Sequence, residues 1–179
     1  MKWHPLVKIL FCAFMIAVIV RVFFVDSFSV SGDSMAPTIN NGEYVIINRL
    51  AYLFGQPKKG DIIVTQPRGS YKKIIKRIAG IPGDRLEISG TTLVIKKDRN
   101  DVGQIVESLD FSDLKGYVKQ NSEQNNPTVF TVDPYEYFVL GDNRAVSIDS
   151  RRLGATDAWD IKGKVFAKFT YKPFKYINL

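Results

Sequence analysis

Two residues of this chain have the chemistry of a nucleophile and its base. Ser34 stands in Ser31-Gly32-Asp33-Ser34-Met35-Ala36-Pro37-Thr38-Ile39, a Gly/Asp/Ser turn that follows the apolar, strand-like residues 28–30. Lys76 stands in Ile74-Ile75-Lys76-Arg77-Ile78-Ala79-Gly80-Ile81-Pro82-Gly83-Asp84. Together they point to a hydrolase whose serine is activated by a lysine. Exclusion narrows the chemistry further. The chain has one His, His4, and one Cys, Cys12, both at its N-terminal end. A Ser-His-Asp triad, a Cys-His dyad and a His/Cys zinc site therefore all lack parts. No metal or cofactor is required by Ser-Lys chemistry.

Each partner has a demand that the local sequence must meet. A nucleophilic serine needs a sharp turn, so that its Oγ projects and backbone N–H groups face the developing oxyanion. Gly32-Asp33 before Ser34 and Pro37 after it can supply one, although such turns are common in loops without any chemistry. A lysine titrates near 10.4 and must be desolvated to about 7–8 to act as a base at neutral pH. On a strand Lys76 shares its face with Ile74 and Ile78, whereas Lys73 shares its face with Arg77. Lys76 is thus the lysine expected to point inward; the alternative is a solvated lysine on a basic hairpin.

A third polar segment, Gly141-Asp142-Asn143-Arg144-Ala145-Val146-Ser147-Ile148-Asp149-Ser150-Arg151, follows an aromatic strand. Ser147, Asp149 and Arg151 alternate, so an extended chain places them on one face. A hydroxyl there can orient a lysine amine, and an Asp-Arg pair can stiffen the loop; a polar loop that serves stability alone reads the same way.

The elements that must position these groups divide the chain in two. Residues 1–25 carry Lys2, Lys8 and Arg21 and no acid. Residues 9–20 are uncharged, but at ~1.5 Å per residue they span only about 18 Å of a roughly 30 Å hydrocarbon core. Residues 5–25 give about 31 Å, with Lys8 and Arg21 near the ends, where long side chains reach the headgroups. The reading is one transmembrane anchor with a cytoplasmic N-terminus, with Lys2, Lys8 and the amino terminus inside and Asp26 and Asp33 beyond. A cleaved signal peptide, with small residues at Ser29 and Ser31, and a buried core helix are the alternatives.

Residues 26–179 are expected to form one β-rich domain. Strand-like runs fall at residues 27–30, 44–48, 61–66, 72–78, 85–88, 92–96, 128–132, 137–140 and 163–171, separated by Gly, Pro, Asp and Asn. This predicts a mainly β fold, barrel-like or of packed antiparallel sheets, with one N-terminal transmembrane helix. Residues 48–54 fit a short helix, residues 111–120 fit either state, and residues 100–126 read as a polar surface excursion. Apolar residues at 45% and charged residues at 24% exclude a disordered chain. A single Cys excludes an internal disulfide framework. Once the three cations of residues 1–25 are set aside, 22 basic and 18 acidic residues leave a charge of +4. That mild excess suits an anionic membrane surface, and no aromatic-basic pattern calls for nucleic acid.

In order and combination, these three segments behind one anchor resemble the type I signal peptidases, the leader peptidase family of Ser-Lys serine proteases. The resemblance covers the anchor and nearly all of residues 26–179. It implies a membrane-anchored endopeptidase, single-pass in the plasma membrane, with its catalytic domain on the extracytoplasmic side. It would remove signal peptides from exported preproteins after small residues, at sites of Ala-x-Ala type. Its partners would be signal peptides, membrane lipid and the secretion translocon. By resemblance Ser34 is the nucleophile, Lys76 the general base and Ser147 the lysine-orienting hydroxyl. Asp149 and Arg151 correspond to one structural ion pair, and Arg77 and Asp142 to a second. Phe28, Val30, Met35, Ile39, Ile74 and Ile75 correspond to shallow substrate pockets beside two strands between which the substrate adds in extended form.

The chain departs from the family in two places. Gly32 stands where some members carry a serine that helps bind the oxyanion, which leaves the second oxyanion donor unassigned and looks more like members from Gram-positive bacteria. Ala145 and Val146 stand where Asp and Asn are frequent. Two rival readings follow. One is a Ser-Lys self-cleaving repressor, for which the apolar N-terminus leaves no DNA-binding domain. The other is a degenerate membrane-anchored β domain that binds peptides or serves a secretion complex.

Overall fold

Tyr44-Val45-Ile46-Ile47-Asn48 shows how the sequence sets the sheet: Val45 and Ile47 are buried at 0% and 2% exposure while Tyr44 and Asn48 face out. The same alternation recurs at residues 85–87 and 93–96, whereas residues 62–65 and 137–140 are buried throughout. The structure, a computed structural model, describes residues 5–89, 92–97, 102–106, 128–171 and 174–179. Its strands are β1 (Val25–Ser29), β2 (Tyr44–Asn48), β3 (Ile62–Thr65), β4 (Ile74–Gly80), β5 (Arg85–Ser89), β6 (Thr92–Lys96), β7 (Gln104–Val106), β8 (Thr128–Thr131), β9 (Glu136–Leu140), β10 (Thr156–Asp157), β11 (Ile161–Tyr171) and β12 (Phe174–Asn178). An N-terminal helix, α1 (Pro5–Phe24), precedes them and a one-turn helix, α2 (Ser150–Leu153), lies between β9 and β10.

The strands form two antiparallel sheets. One has eight strands, in the order β1-β2-β11-β3-β4-β9-β10 with β12 added to β11; the other has four, in the order β7-β6-β5-β8. The larger sheet is an open path from β1 to β10 among the described residues. β11, 11 residues long, is its spine and pairs with β2, β3 and β12. Register shifts at Ile161/Gly163 and Val165/Ala167 let it do so. Gly163 is required there. Its φ is +154°, and a Cβ would lie 2.6 Å from the Asn48 carbonyl oxygen.

Three apolar clusters hold the domain. Val30, Met35, Ile39, Val45, Ile47, Ile62, Val64, Ile75 and Val165 pack the Ser34 loop against β2, β3, β4 and β11. Leu86, Leu93, Ile95, Val132, Phe138 and Leu140 join the two sheets. Ile63, Ile78, Tyr137 and Val139 form the third.

The mainly β, antiparallel character agrees with the expectation, and all nine expected strand runs overlap an observed strand. Residues 48–54, expected as a short helix, instead run into hydrogen-bonded turns, with the Leu53 N–H donating to the Leu50 carbonyl at 3.0 Å. The Tyr52 hydroxyl donates to Asp61 at 3.0 Å, and this fixes the turn from below. β7, β10, β12 and α2 were not expected. Of residues 100–126, residues 102–106 are described and include β7, paired with β6; the rest, with residues 111–120, lie outside the described residues.

α1 is helical over 20 residues, and its apolar side chains Leu6, Ile9, Leu10, Phe11, Phe14 and Ile16 are all exposed. Among the described residues no helix is long and apolar enough to cross a membrane. Side chains of α1 are described only for residues 5–18, about 21 Å of helix at ~1.5 Å per residue.

Candidate active site

The chain leaves β1 at Ser29 and enters the Ser34 loop under tight control. The Val30 N–H donates to the Glu43 carbonyl at 2.8 Å, and the Gly42 N–H returns to the Val30 carbonyl at 2.9 Å. Gly32 takes φ +104°, open to glycine alone without strain, and donates its N–H to the Asn41 side chain at 3.1 Å. Beyond Ser34, Met35 and Ile39 are buried at 1% and 0% exposure, so the loop is pinned by its apolar residues while Ser34 stays half-buried. A buried ion pair braces the base of the loop: Lys168 Nζ lies 3.1 and 2.9 Å from the two Glu43 carboxylate oxygens, one of which also accepts from the Asn40 N–H at 2.8 Å.

Lys76 comes from the middle of β4, between β3 and β9. It is 3% exposed, and its Nζ donates to Ser34 Oγ at 2.8 Å. Burial pushes its pKa below the ordinary lysine value; the charge of Asp149 opposes this, Arg151 adds to it and Asp142 opposes it. Both opposing carboxylates are already engaged by arginines, which is why burial wins. The expectation that Lys76 points inward holds, but strand alternation is not what distinguishes it. Ile75 next to it is buried as well, at 6% exposure, because the centre of β4 is covered on both faces.

The segment after β9 packs against this pair. Asp149 is fully buried and accepts from Arg151 Nε and Nη2, both at 2.8 Å, and from the Gly141 N–H at 2.9 Å. It also caps α2. Burial alone would raise its pKa, but the Arg151 hydrogen bonds and the Gly141 N–H outweigh it, and the carboxyl is held below the usual range. Arg77 grips Asp142 in the same two-pronged way, at 2.8 and 2.7 Å, and donates to the Gly60 carbonyl. The alternation of residues 147, 149 and 151 is present in an unusual form. Ser147, Asp149 and Arg151 are buried, while Val146 and Ile148 are exposed. The chain is not a strand here, since the Ser147 N–H turns back to the Asn143 carbonyl at 3.1 Å.

Ser147 Oγ is buried and makes no hydrogen bond within ordinary limits among the described residues. Asp149 lies close enough for that hydroxyl to help keep its carboxyl charged. Gly141 was not singled out in the sequence, and it sets the spacing. A Cβ there would collide with Ser147 Oγ and lie 2.5 Å from the Ser34 carbonyl oxygen. That carbonyl accepts from the Asn143 N–H at 3.0 Å, so the 141–143 backbone sits directly against the nucleophile. Only a glycine preceding a polar loop hinted at this.

A cleft of about 390 Å³ opens at Ser34 and Lys76. Phe28, Val30, Met35, Ile74 and Ile75 line it, together with Ser29, Ser31, Lys72 and Lys73. Ile39 does not. It is fully buried behind Met35 and supports the loop from within the core, a correction to its expected place in a pocket wall. A larger groove of about 640 Å³ between Tyr52, Tyr135 and Trp159 is lined by none of the expected site residues. Among the described residues no group of His, Cys, Asp and Glu is placed to hold a metal ion.

The family model for signal peptidase, peptidase S26, matches residues 3–170. Signal peptidase IB of Staphylococcus aureus (strain MRSA252) is 34% identical over 169 residues, covering 92% of this chain and 88% of that protein. Signal peptidase I of Bacillus licheniformis is 30% identical over 173 residues, covering 96% of this chain and 90% of that protein. The crystal structure of a signal peptidase I from Enterococcus faecalis V583 is 30% identical with a TM-score of 0.41, covering 61% of this chain and 96% of that one.

Proposed function

The chain belongs to the signal peptidase family, peptidase S26, and is a serine peptidase of the signal peptidase I type; from that premise we propose that Ser34 and Lys76 are its catalytic dyad. The 2.8 Å contact between Ser34 Oγ and a lysine 3% exposed carries this reading. Lys76, its pKa lowered by burial, takes the Ser34 proton in its neutral form as the hydroxyl attacks the scissile carbonyl. An acyl-enzyme forms and the Lys76 ammonium gives its proton to the leaving amine. Lys76 then takes a proton from the water that releases the acyl group. The Ser34 N–H donates to no protein acceptor among the described residues and is a donor for the oxyanion. The Ser147 hydroxyl, buried beside Asp149 and with no hydrogen bond of ordinary geometry among the described residues, is the group that orients the amine. The two Arg-Asp pairs hold the loop and β4 in register.

The substrate is proposed to enter the cleft as an extended strand between residues 28–31 and 72–76. Val30, Met35 and Ile75 are nearly buried, at 8%, 1% and 6% exposure, and leave room beside Ser34 for a small side chain. This supports cleavage of preproteins after Ala-x-Ala type sites. The exposed apolar surface of α1 supports an anchor in the cell membrane rather than a core helix, with the catalytic domain outside. Lipid and the secretion translocon are then its neighbours.

The test uses the full chain in detergent, with a preprotein carrying Ala-x-Ala before its mature start. Mass spectrometry should show one cut after the second alanine with the wild type, and none with Ser34→Ala or Lys76→Ala. Cleavage persisting in either variant would remove the dyad; a wild-type cut elsewhere would remove the specificity.

A further inference from the structure

The register of the large sheet fixes which of its ends lies toward α1. Val25, the first residue after the helix, pairs with Asn48; Asn48 pairs with Lys164, Lys164 with Ile63, and Ile63 with Lys76. Every pairing is antiparallel, so β4 residues below 76 extend back toward the helix. The loop between β3 and β4, residues 66–73, therefore projects from the edge of the sheet where α1 enters. A direct contact agrees with this: Lys73 Nζ lies 3.6 Å from a carboxylate oxygen of Asp26, the second residue after the helix.

This loop has an unusual surface. Tyr71 is 100% exposed, yet its neighbours are fixed by hydrogen bonds. The Ser70 N–H donates to the Pro67 carbonyl at 3.0 Å, Gln66 Nε2 to the Ser70 carbonyl at 2.9 Å, and the Lys72 N–H to Ser70 Oγ at 3.1 Å. Arg68, Lys72 and Lys73 lie close to Tyr71 in sequence, and the loop itself holds no acid. Arg49, one residue past Asn48, and Lys162, just before the Gly163 bulge, belong to the same edge and are exposed. Arg68 pairs with Asp157 and Lys73 with Asp26, but among the described residues no carboxylate pairs with Lys72, Arg49 or Lys162. A water-facing tyrosine on a hydrogen-bonded loop rich in cations, at the point where an apolar helix ends, is the composition of a membrane–water interface.

We propose that the β3–β4 loop is a second membrane contact, with Tyr71 seated at headgroup depth and Arg68, Lys72 and Lys73 on anionic lipid phosphates. The proposal rests on the reading of α1 as an anchor. Lys72 and Lys73 also line the cleft, so the contact holds the mouth of the cleft against the bilayer. Lys72, which no carboxylate offsets among the described residues, raises the occupancy of the docked state about fivefold at moderate salt; Arg68 and Lys73 add less while paired with Asp157 and Asp26, and salt screens the effect.

The experiment uses the full chain in a Cys12→Ser background, reconstituted into vesicles of phosphatidylcholine with or without one-third phosphatidylglycerol. An environment-sensitive dye is placed at Tyr71→Cys or, for comparison, at Asp133→Cys beyond the other end of β4. On anionic vesicles the dye at 71 should shift to the blue and be quenched by lipid brominated near the headgroup. High salt, or Arg68→Gln with Lys72→Gln, should reduce both signals, and the dye at 133 should show neither. A chain that incorporates but reads water at 71 as at 133 overturns the proposal and leaves the anchor standing. A chain that does not incorporate overturns both.

Discussion

Two lysines of this domain are buried to nearly the same depth in opposite surroundings. Lys168 is 7% exposed and faces the Glu43 carboxylate at 2.9 Å; Lys76 is 3% exposed and faces the Ser34 hydroxyl at 2.8 Å. Glu43 shows what the first arrangement achieves. Burial alone would raise its pKa, but the Asn40 N–H and Lys168 outweigh that and hold it below the usual range. An ion pair with its remaining acceptor filled stays charged and locks a turn. Lys76 has no carboxylate of its own, because Asp149 and Asp142 are each clamped by an arginine. Burial without a dedicated counter-charge makes an amine a base; burial with one makes it a strut.

The largest expected effect separates the two functions. Lys76→Met should lower kcat/KM for preprotein cleavage by roughly four orders of magnitude or more while thermal unfolding stays at or above that of the wild type, since the methionine removes the cost of a buried amine and the neutral Ser34 hydroxyl is half-buried and keeps access to water. Lys168→Met should do the reverse. It strands the Glu43 carboxylate and should cost about 3 kcal/mol in denaturant unfolding. Adding Glu43→Gln should recover much of that, because the uncompensated charge is then gone. If Lys168→Met lost activity with full stability, or Lys76→Met unfolded the domain, the comparison would fail.

Gly141→Ala sharpens the account at the dyad itself. The new methyl meets Ser147 Oγ and the Ser34 carbonyl, neither of which can retreat freely, so the nucleophile must shift. A displacement near 1 Å costs on the order of 100-fold in kcat/KM. A smaller effect lies in the pH dependence of stability. Lys76 binds its proton less tightly folded than unfolded, so its penalty is fully present below its folded pKa and is relieved as pH rises toward the ordinary lysine value. Unfolding free energy should therefore rise across that alkaline window in the wild type, and less so in Lys76→Met. An equal slope in both would show that Lys76 titrates normally.

Much of this site was legible in the sequence because residue type limited the choices. With one His and one Cys outside the polar segments, a serine with a lysine was one of the few serine-nucleophile arrangements available. Strand runs such as residues 44–48 and 92–96 were legible because half-buried strands alternate. Elements held by pairing alone were not: β10 is two residues long and exists because Tyr137 and Glu136 pair with it. Residues 48–54 carry a helix-compatible composition, but the Tyr52–Asp61 hydrogen bond favours turns. Gly141 was invisible because its role is an absence of side chain where its own loop, at Ser147, meets the sequence-distant Ser34. Ile39 was misplaced because an apolar residue near a nucleophile reads equally as pocket wall or as core.

The central claim is that Lys76 is the base because burial lowers its pKa, and the pH profile of kcat/KM tests it most directly. With the full chain and a preprotein of Ala-x-Ala type, the rate should rise along a single limb whose pKa lies clearly below that of an ordinary lysine. The residual rate of Lys76→Met should lack that limb. A wild-type limb at the ordinary lysine value, or a limb that survives in Lys76→Met, would contradict the account.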